Sequence, residues 1–93
     1  MELRLKAQLR KDAGKYGDTK RVIESWIETV EDADWNDITK VKETYPSADY
    51  VNGKTVFNIK GNSYRLITII DYSLKLVVYV TFLTHADYDK HQF

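Results

Sequence analysis

The run Thr84-His85-Ala86-Asp87-Tyr88-Asp89-Lys90 crowds an imidazole, a phenol, carboxylates and an ammonium together, directly after the apolar stretch Leu76 to Leu83. Such groups move protons around a phosphodiester, and they also grip other proteins. Cleavage of RNA needs a base for the 2′-hydroxyl proton, a cation for the non-bridging oxygens and an acid for the leaving 5′-oxygen. His85 suits the base or the acid because imidazole titrates near neutrality. Arg65 and Lys90 suit the clamp on a charged phosphoryl transition state. Tyr88, a phenol of pKa about 10, donates a proton but is a slow base unless activated. The nucleophile belongs to the RNA, so this chemistry calls for no metal and no cofactor.

Each of these residues also has an ordinary role. A histidine after a strand is more often a cap or surface group than a catalyst, and a tyrosine in a last turn is usually a half-buried packing residue. Arg65 has a structural role if it pairs with Asp71 or Asp89. Lys54 and Lys60 have one if they only protect a solvated strand.

The elements that position these groups change character at Pro46, where the hydrophobic period passes from 3.6 to 2. Before it the chain reads as helical. Leu3 to Ala13 is expected as a short helix; Leu3, Leu5 and Ala7 also alternate with charges, but no β-branched residue supports a strand. Asp18 or Thr19 is expected to cap a second helix, whose stripe Val22, Ile23, Trp26, Ile27 and Val30 faces the core, and which frays near Ala33. Trp26 reads as its core anchor. A third helix is expected from Asp34-Trp35-Asn36-Asp37 to about Thr44. The acidic residues at 31–37 sit near its N-terminus, where they are favourable without a metal.

After Pro46, Asn52-Gly53 signals a type I′ hairpin between Asp49–Val51 and Lys54–Lys60. Gly61-Asn62 makes the next turn. The strand Tyr64–Asp71 puts Arg65, Ile67 and Ile69 on one side and Tyr64, Leu66, Thr68 and Ile70 on the other. Leu76–Leu83, apolar on both faces, is expected to be the most buried strand. Thr84 is placed to cap a final helical turn, with Asp87 at the box position. In that turn His85 and Asp89 stand four apart and share a face. The fold class is therefore α+β, with N-terminal helices packed on one face of a small antiparallel sheet. Lys54, Asn58, Lys60 and Arg65 are candidates for its open face.

Ninety-three residues suit a single domain, 1–93. A chain of this mass exposes about 5,600 Å² when folded, enough burial for one small core. Without cysteine there are no disulfides and no thiolate chemistry. The N-terminus Met1-Glu2-Leu3-Arg4-Leu5-Lys6 is charged at every second residue, and no long apolar run follows. A soluble, cytoplasmic chain without a membrane partner is expected. Net charge is zero, split as +2 over 1–30, −4 over 31–50 and +2 over 51–93. That balance disfavours a stand-alone, tight nucleic-acid binder and leaves room for a local site.

The ordered set Trp35, Thr44-Tyr45-Pro46-Ser47-Ala48-Asp49, Thr55-Val56-Phe57-Asn58-Ile59, Gly61-Asn62-Ser63-Tyr64-Arg65-Leu66-Ile67 and Thr84 to Lys90 resembles the HigB family of type II toxin–antitoxin toxins. That family lies within the RelE-like group. The resemblance implies a RelE-like fold and a ribosome-dependent endoribonuclease that cuts messenger RNA. Its partners would be mRNA on the ribosome and a HigA-like helix-turn-helix antitoxin, through which alone it meets operator DNA. Carried over by motif position, Arg65 takes the phosphate, His85 and Lys90 handle protons or charge, and Tyr88 orients or stacks a base. Lys54, Asn58 and Lys60 extend the RNA surface, and Asp89 orients His85. Family members begin with a short strand and carry a His-Pro pair before the long helix. Here Lys15-Tyr16-Gly17-Asp18 lacks the pair, and the first strand is expected to be missing or altered. The neutral charge also admits a different class, a non-catalytic module that docks an antitoxin and acts through the complex. A direct DNA binder would need a basic recognition helix that the chain does not offer.

Overall fold

The computed structural model describes residues 1–90. In chain order the elements are β1 (Glu2–Arg4), α1 (Lys6–Ala13), α2 (Lys20–Asp32), α3 (Ile38–Thr44), β2 (Asp49–Val51), β3 (Lys54–Ile59), β4 (Tyr64–Asp71), β5 (Leu76–Thr84) and α4 (His85–Lys90). The strands form one sheet in the order β1-β5-β4-β3-β2. All pairs are antiparallel except β1 with β5, which makes the sheet mixed. The α+β class read from the sequence is the one observed. The accessible surface of 5557 Å² matches that of a folded chain of this mass.

The N-terminus corrects the sequence reading. Glu2–Arg4 is a strand, with Leu3 buried between two exposed neighbours. Leu5 then turns through the left-handed region (φ 67°), and the helix starts only at Lys6. Each reading holds for part of the segment: Leu3 alternates as a strand residue, whereas Leu5 is exposed in the turn and Ala7 lies in α1. The strand supplies partners to the outer edge of β5, whose backbone groups a helix there would leave unpaired. That gain comes from residues more than seventy positions away in sequence (Glu2 lies opposite Leu76), so local propensity does not report it.

Helix α2 buries Ile23, Trp26, Ile27 and Val30, as its stripe requires. Its expected cap is not made. The Thr19 hydroxyl is buried and donates instead to the carbonyls of Ala13 (2.8 Å) and Tyr16 (2.9 Å), closing the α1–α2 turn. Helix α3 begins later than expected, at Ile38, capped by Asp37, whose Oδ1 accepts from the Lys40 amide at 3.2 Å. Trp35 is drawn into the core instead, stacked on Phe57 with centroids 6.3 Å apart. Trp26 and Tyr45 meet the same ring edge-on at 5.3 and 5.4 Å. Phe57 is thus the hub on which three aromatic rings converge, from α2, from the α2–α3 connection and from the C-cap of α3.

The β2–β3 hairpin turns through Asn52 (φ 50°) and Gly53 (φ 82°), both left-handed as a type I′ turn demands. Leu66 on β4 lies opposite Phe57 and Phe82, and these three belong to the single core cluster. One step along, Arg65 lies opposite Asn58 and Leu83, so these share the other face. Ile67 faces Thr81 while Thr68 faces Tyr79, which makes Val80 an extra residue on β5. The bulge shifts the alternation, so Val77, Tyr79 and Phe82 all reach the core. Val80 is left 39% exposed. β5 is therefore not the most buried strand. β4 occupies the middle of the sheet, and Arg65 through Thr68 are buried consecutively.

Candidate functional site

The turn between β3 and β4 organises the site. Lys60 (φ 53°) and Gly61 (φ 65°) reverse the chain in left-handed conformations, and the Ser63 amide donates back to the Lys60 carbonyl at 3.3 Å. Asn62 then receives the guanidinium of Arg65. Arg65 Nη2 donates to Asn62 Oδ1 at 2.8 Å, and Nη1 donates to the carbonyls of Asn62 (3.3 Å) and Tyr64 (3.2 Å). Arg65 is only 8% exposed. Among the described residues it pairs with neither Asp71 nor Asp89. Asp71 is engaged in its own turn by Ser73 and the Leu74 amide, and Asp89 by His85.

The same turn fixes the tail. The His85 amide donates to the Ser63 carbonyl at 2.9 Å, which starts α4 beside Arg65. Thr84 Oγ1 accepts from the Asp87 amide at 3.1 Å, the cap expected there. The helix then carries Tyr88 over the guanidinium, with Arg65 Cζ 5.6 Å from the ring centroid, within cation–π range. His85 Nε2 lies 3.2 Å from Asp89 Oδ2, both partly exposed. Lys90 is exposed at the helix end. The tail and the middle strand thus meet at one place, with Arg65 and Tyr88 in direct contact and His85 one turn away on the helix.

The other candidates divide. Lys54 and Asn58 alternate along β3 on the face that Arg65 shares, and both are half-buried. Lys60 is diverted. Its left-handed backbone ends β3, and its ammonium pairs with Asp18 Oδ2 at 2.8 Å. The Tyr64 hydroxyl donates to Asp18 Oδ1 at 3.1 Å. Lys60, and then Tyr64, hold the Asp18 carboxyl below the usual carboxylate range. Partial burial and the Asp18 carboxylate push the Tyr64 phenol up. Three of the acids at 31–37 are similarly accounted for: Glu31 pairs with Lys6 (2.8 Å), Asp34 pairs with Lys75 (2.9 Å), and Asp37 caps α3.

The chain matches the HigB toxin family, the RelE-like toxic component of a toxin–antitoxin system, over residues 19–91. It belongs to the HigB family. No curated protein matches the chain. The matched span of this HigB toxin starts at the entry to α2 and contains every candidate site residue, whereas β1 and α1 lie outside it. Membership makes the protein a toxin and implies an antitoxin as its partner. No helix among the described residues is long and apolar enough to cross a membrane.

Two residues that hold the candidate site residues carry no signal of that role in the sequence: Asn62 and, just outside the family match, Asp18. Asn62 was read only as half of a turn signal, yet it is the side-chain partner of Arg65. Asp18 was read as a helix cap, yet it captures Lys60 across the molecule. Neither has a local signature, because each interaction depends on how the β3–β4 turn bends.

Proposed function

We propose that this HigB toxin is a ribosome-dependent endoribonuclease that cuts messenger RNA without a metal and is neutralised by a HigA-like helix-turn-helix antitoxin. The 2′-oxygen attacks the adjacent phosphorus as its proton passes to a base. The bond to the 5′-oxygen then breaks, and an acid protonates the departing oxygen. Arg65 holds the non-bridging oxygens. His85, oriented by Asp89, moves a proton, and Lys90 moves a proton or stabilises charge. Tyr88 orients or stacks a base. Lys54 and Asn58 extend the RNA surface, and Lys60 joins it only by leaving Asp18. The ribosome supplies the remaining grip on the message, so the toxin acts in the cytoplasm and reaches operator DNA only through its antitoxin.

The observation that carries this reading is Arg65, a buried guanidinium whose hydrogen-bond partners among the described residues are all neutral. A desolvated cation that meets no counter-ion among the described residues is poised for an anionic ligand. The test is message cleavage in a translating extract by the parent chain and by Ala variants of Arg65, His85, Tyr88 and Lys90. Cleavage by the parent and its loss in these variants is expected; four variants that cut like the parent would reject the site. A tight antitoxin complex without message cleavage would instead mark a non-catalytic module.

A further inference from the structure

We infer that Asn62 is a positioning residue for the reaction, acting through Arg65; this rests on the ribonuclease reading above. A guanidinium has five N–H donors. The three bonds at Arg65 engage Nη1 twice and Nη2 once. By valency this leaves the Nε–H and the second Nη2–H. Those two hydrogens lie side by side along one edge of the guanidinium plane, the fork that grips two oxygens of one phosphate. Asn62 therefore meets both Nη atoms, at the end of the guanidinium, and leaves its side-on edge without a hydrogen-bond partner among the described residues. It contributes twice, through Oδ1 and through its own carbonyl. The Tyr88 ring limits movement out of the plane.

Asn62 is itself exposed and outside the left-handed region, so nothing in the packing or backbone requires an asparagine. A neutral amide also holds the fork without cancelling its charge, which an aspartate at the same position would do.

The test compares single-turnover message cleavage on programmed ribosomes for the parent, Asn62→Ala, Arg65→Ala and the double variant, with Asn62→Ser as a second short side chain. Asn62→Ala and Asn62→Ser are expected to slow the cleavage step about tenfold while leaving the half-saturating ribosome concentration unchanged. In the Arg65→Ala background, removing Asn62 is expected to cost nothing more. Heteronuclear NMR of the arginine side chains should show the Arg65 guanidinium protons protected in the parent and exchanging freely without Asn62. A purely structural role would lower thermal stability and multiply with Arg65→Ala. Parent-like cleavage by both Asn62 variants, or effects that multiply, would overturn the assignment while leaving the ribonuclease reading intact. Absence of cleavage by the parent chain would reject that reading, and the assignment with it.

Discussion

Arg65 makes three of its hydrogen bonds to a side-chain amide and two backbone carbonyls, so among the described residues its charge is ordered but meets no counter-ion. This distinguishes it from Lys60, whose charge is met by Asp18, and from His85, which faces Asp89. A lysine at position 65 would keep the charge and lose the planar fork. Arg65→Lys is therefore expected to lose nearly as much message cleavage as Arg65→Ala, about a hundredfold or more. Parallel rates in a translating extract check this, and a lysine variant near the parent rate would show that a point charge suffices. Residue types alone were enough to nominate Arg65, His85 and Tyr88, because their chemistry is written in their side chains. Their partners were not legible. Asp71 and Asp89 looked like counter-ions for Arg65, but each is satisfied within its own turn. The real partner, Asn62, is selected by turn geometry.

Hairpins and amphipathic helices were legible because their signals are local. Asn52-Gly53 located its turn to the residue, and Gly53 is the simplest point at which to test that turn. A Cβ there would meet nothing within 4 Å, so the cost of a side chain is conformational, set by φ 82°. Gly53→Ala is expected to lower stability by about 1–2 kcal/mol with an unchanged denaturant slope. The strand β1 was misread for the opposite reason, since its partner lies at the far end of the chain. The Val80 bulge was likewise invisible, because it shows only once β4 and β5 are paired. Helix α1 adds a long-range link of its own. The Tyr79 hydroxyl donates to Asp12 Oδ2 at 2.6 Å. This bond holds the Asp12 carboxyl below its ordinary range, while burial first, and Asp12 second, push the Tyr79 phenol up. Because the folded carboxyl is depressed, its stabilisation is complete above the unfolded value of about 3.9 and disappears as pH falls through the folded one. Tyr79→Phe is expected to cost about 1 kcal/mol at neutral pH, the low end because Asp12 is only partly buried. Chemical denaturation should show the gap to the parent narrowing below about pH 4.

On the ribonuclease reading, a chain of zero net charge must receive its polyanionic substrate already positioned. The acids of 31–50 outnumber the bases by four, but several are used internally. Glu31 pairs with Lys6 and Asp34 with Lys75, so the acidic stretch ties α2 to α1 and the α2–α3 connection to the β4–β5 turn. Among the described residues the cations left near the site are few: the buried Arg65 and half-buried Lys54 on one sheet face and the exposed Lys90 at the end of α4. A molecule measuring 32 × 25 × 20 Å with so small a basic surface cannot envelop a message. On the ribonuclease reading, its contact with free RNA is expected to be set by those cations. With about three phosphates neutralised, the logarithm of affinity for single-stranded RNA should fall with the logarithm of salt at a slope of about −2. Fluorescence anisotropy of a labelled oligonucleotide between about 50 and 200 mM salt measures this. The same preparations should leave naked RNA uncut and cleave it only when ribosomes translate it. A slope of about −5 or steeper would mean that Lys60 and other cations leave their acidic partners to bind RNA. Cleavage of naked RNA would mean that the toxin positions its own substrate, and that the neutral charge of the chain does not govern how it reaches its message.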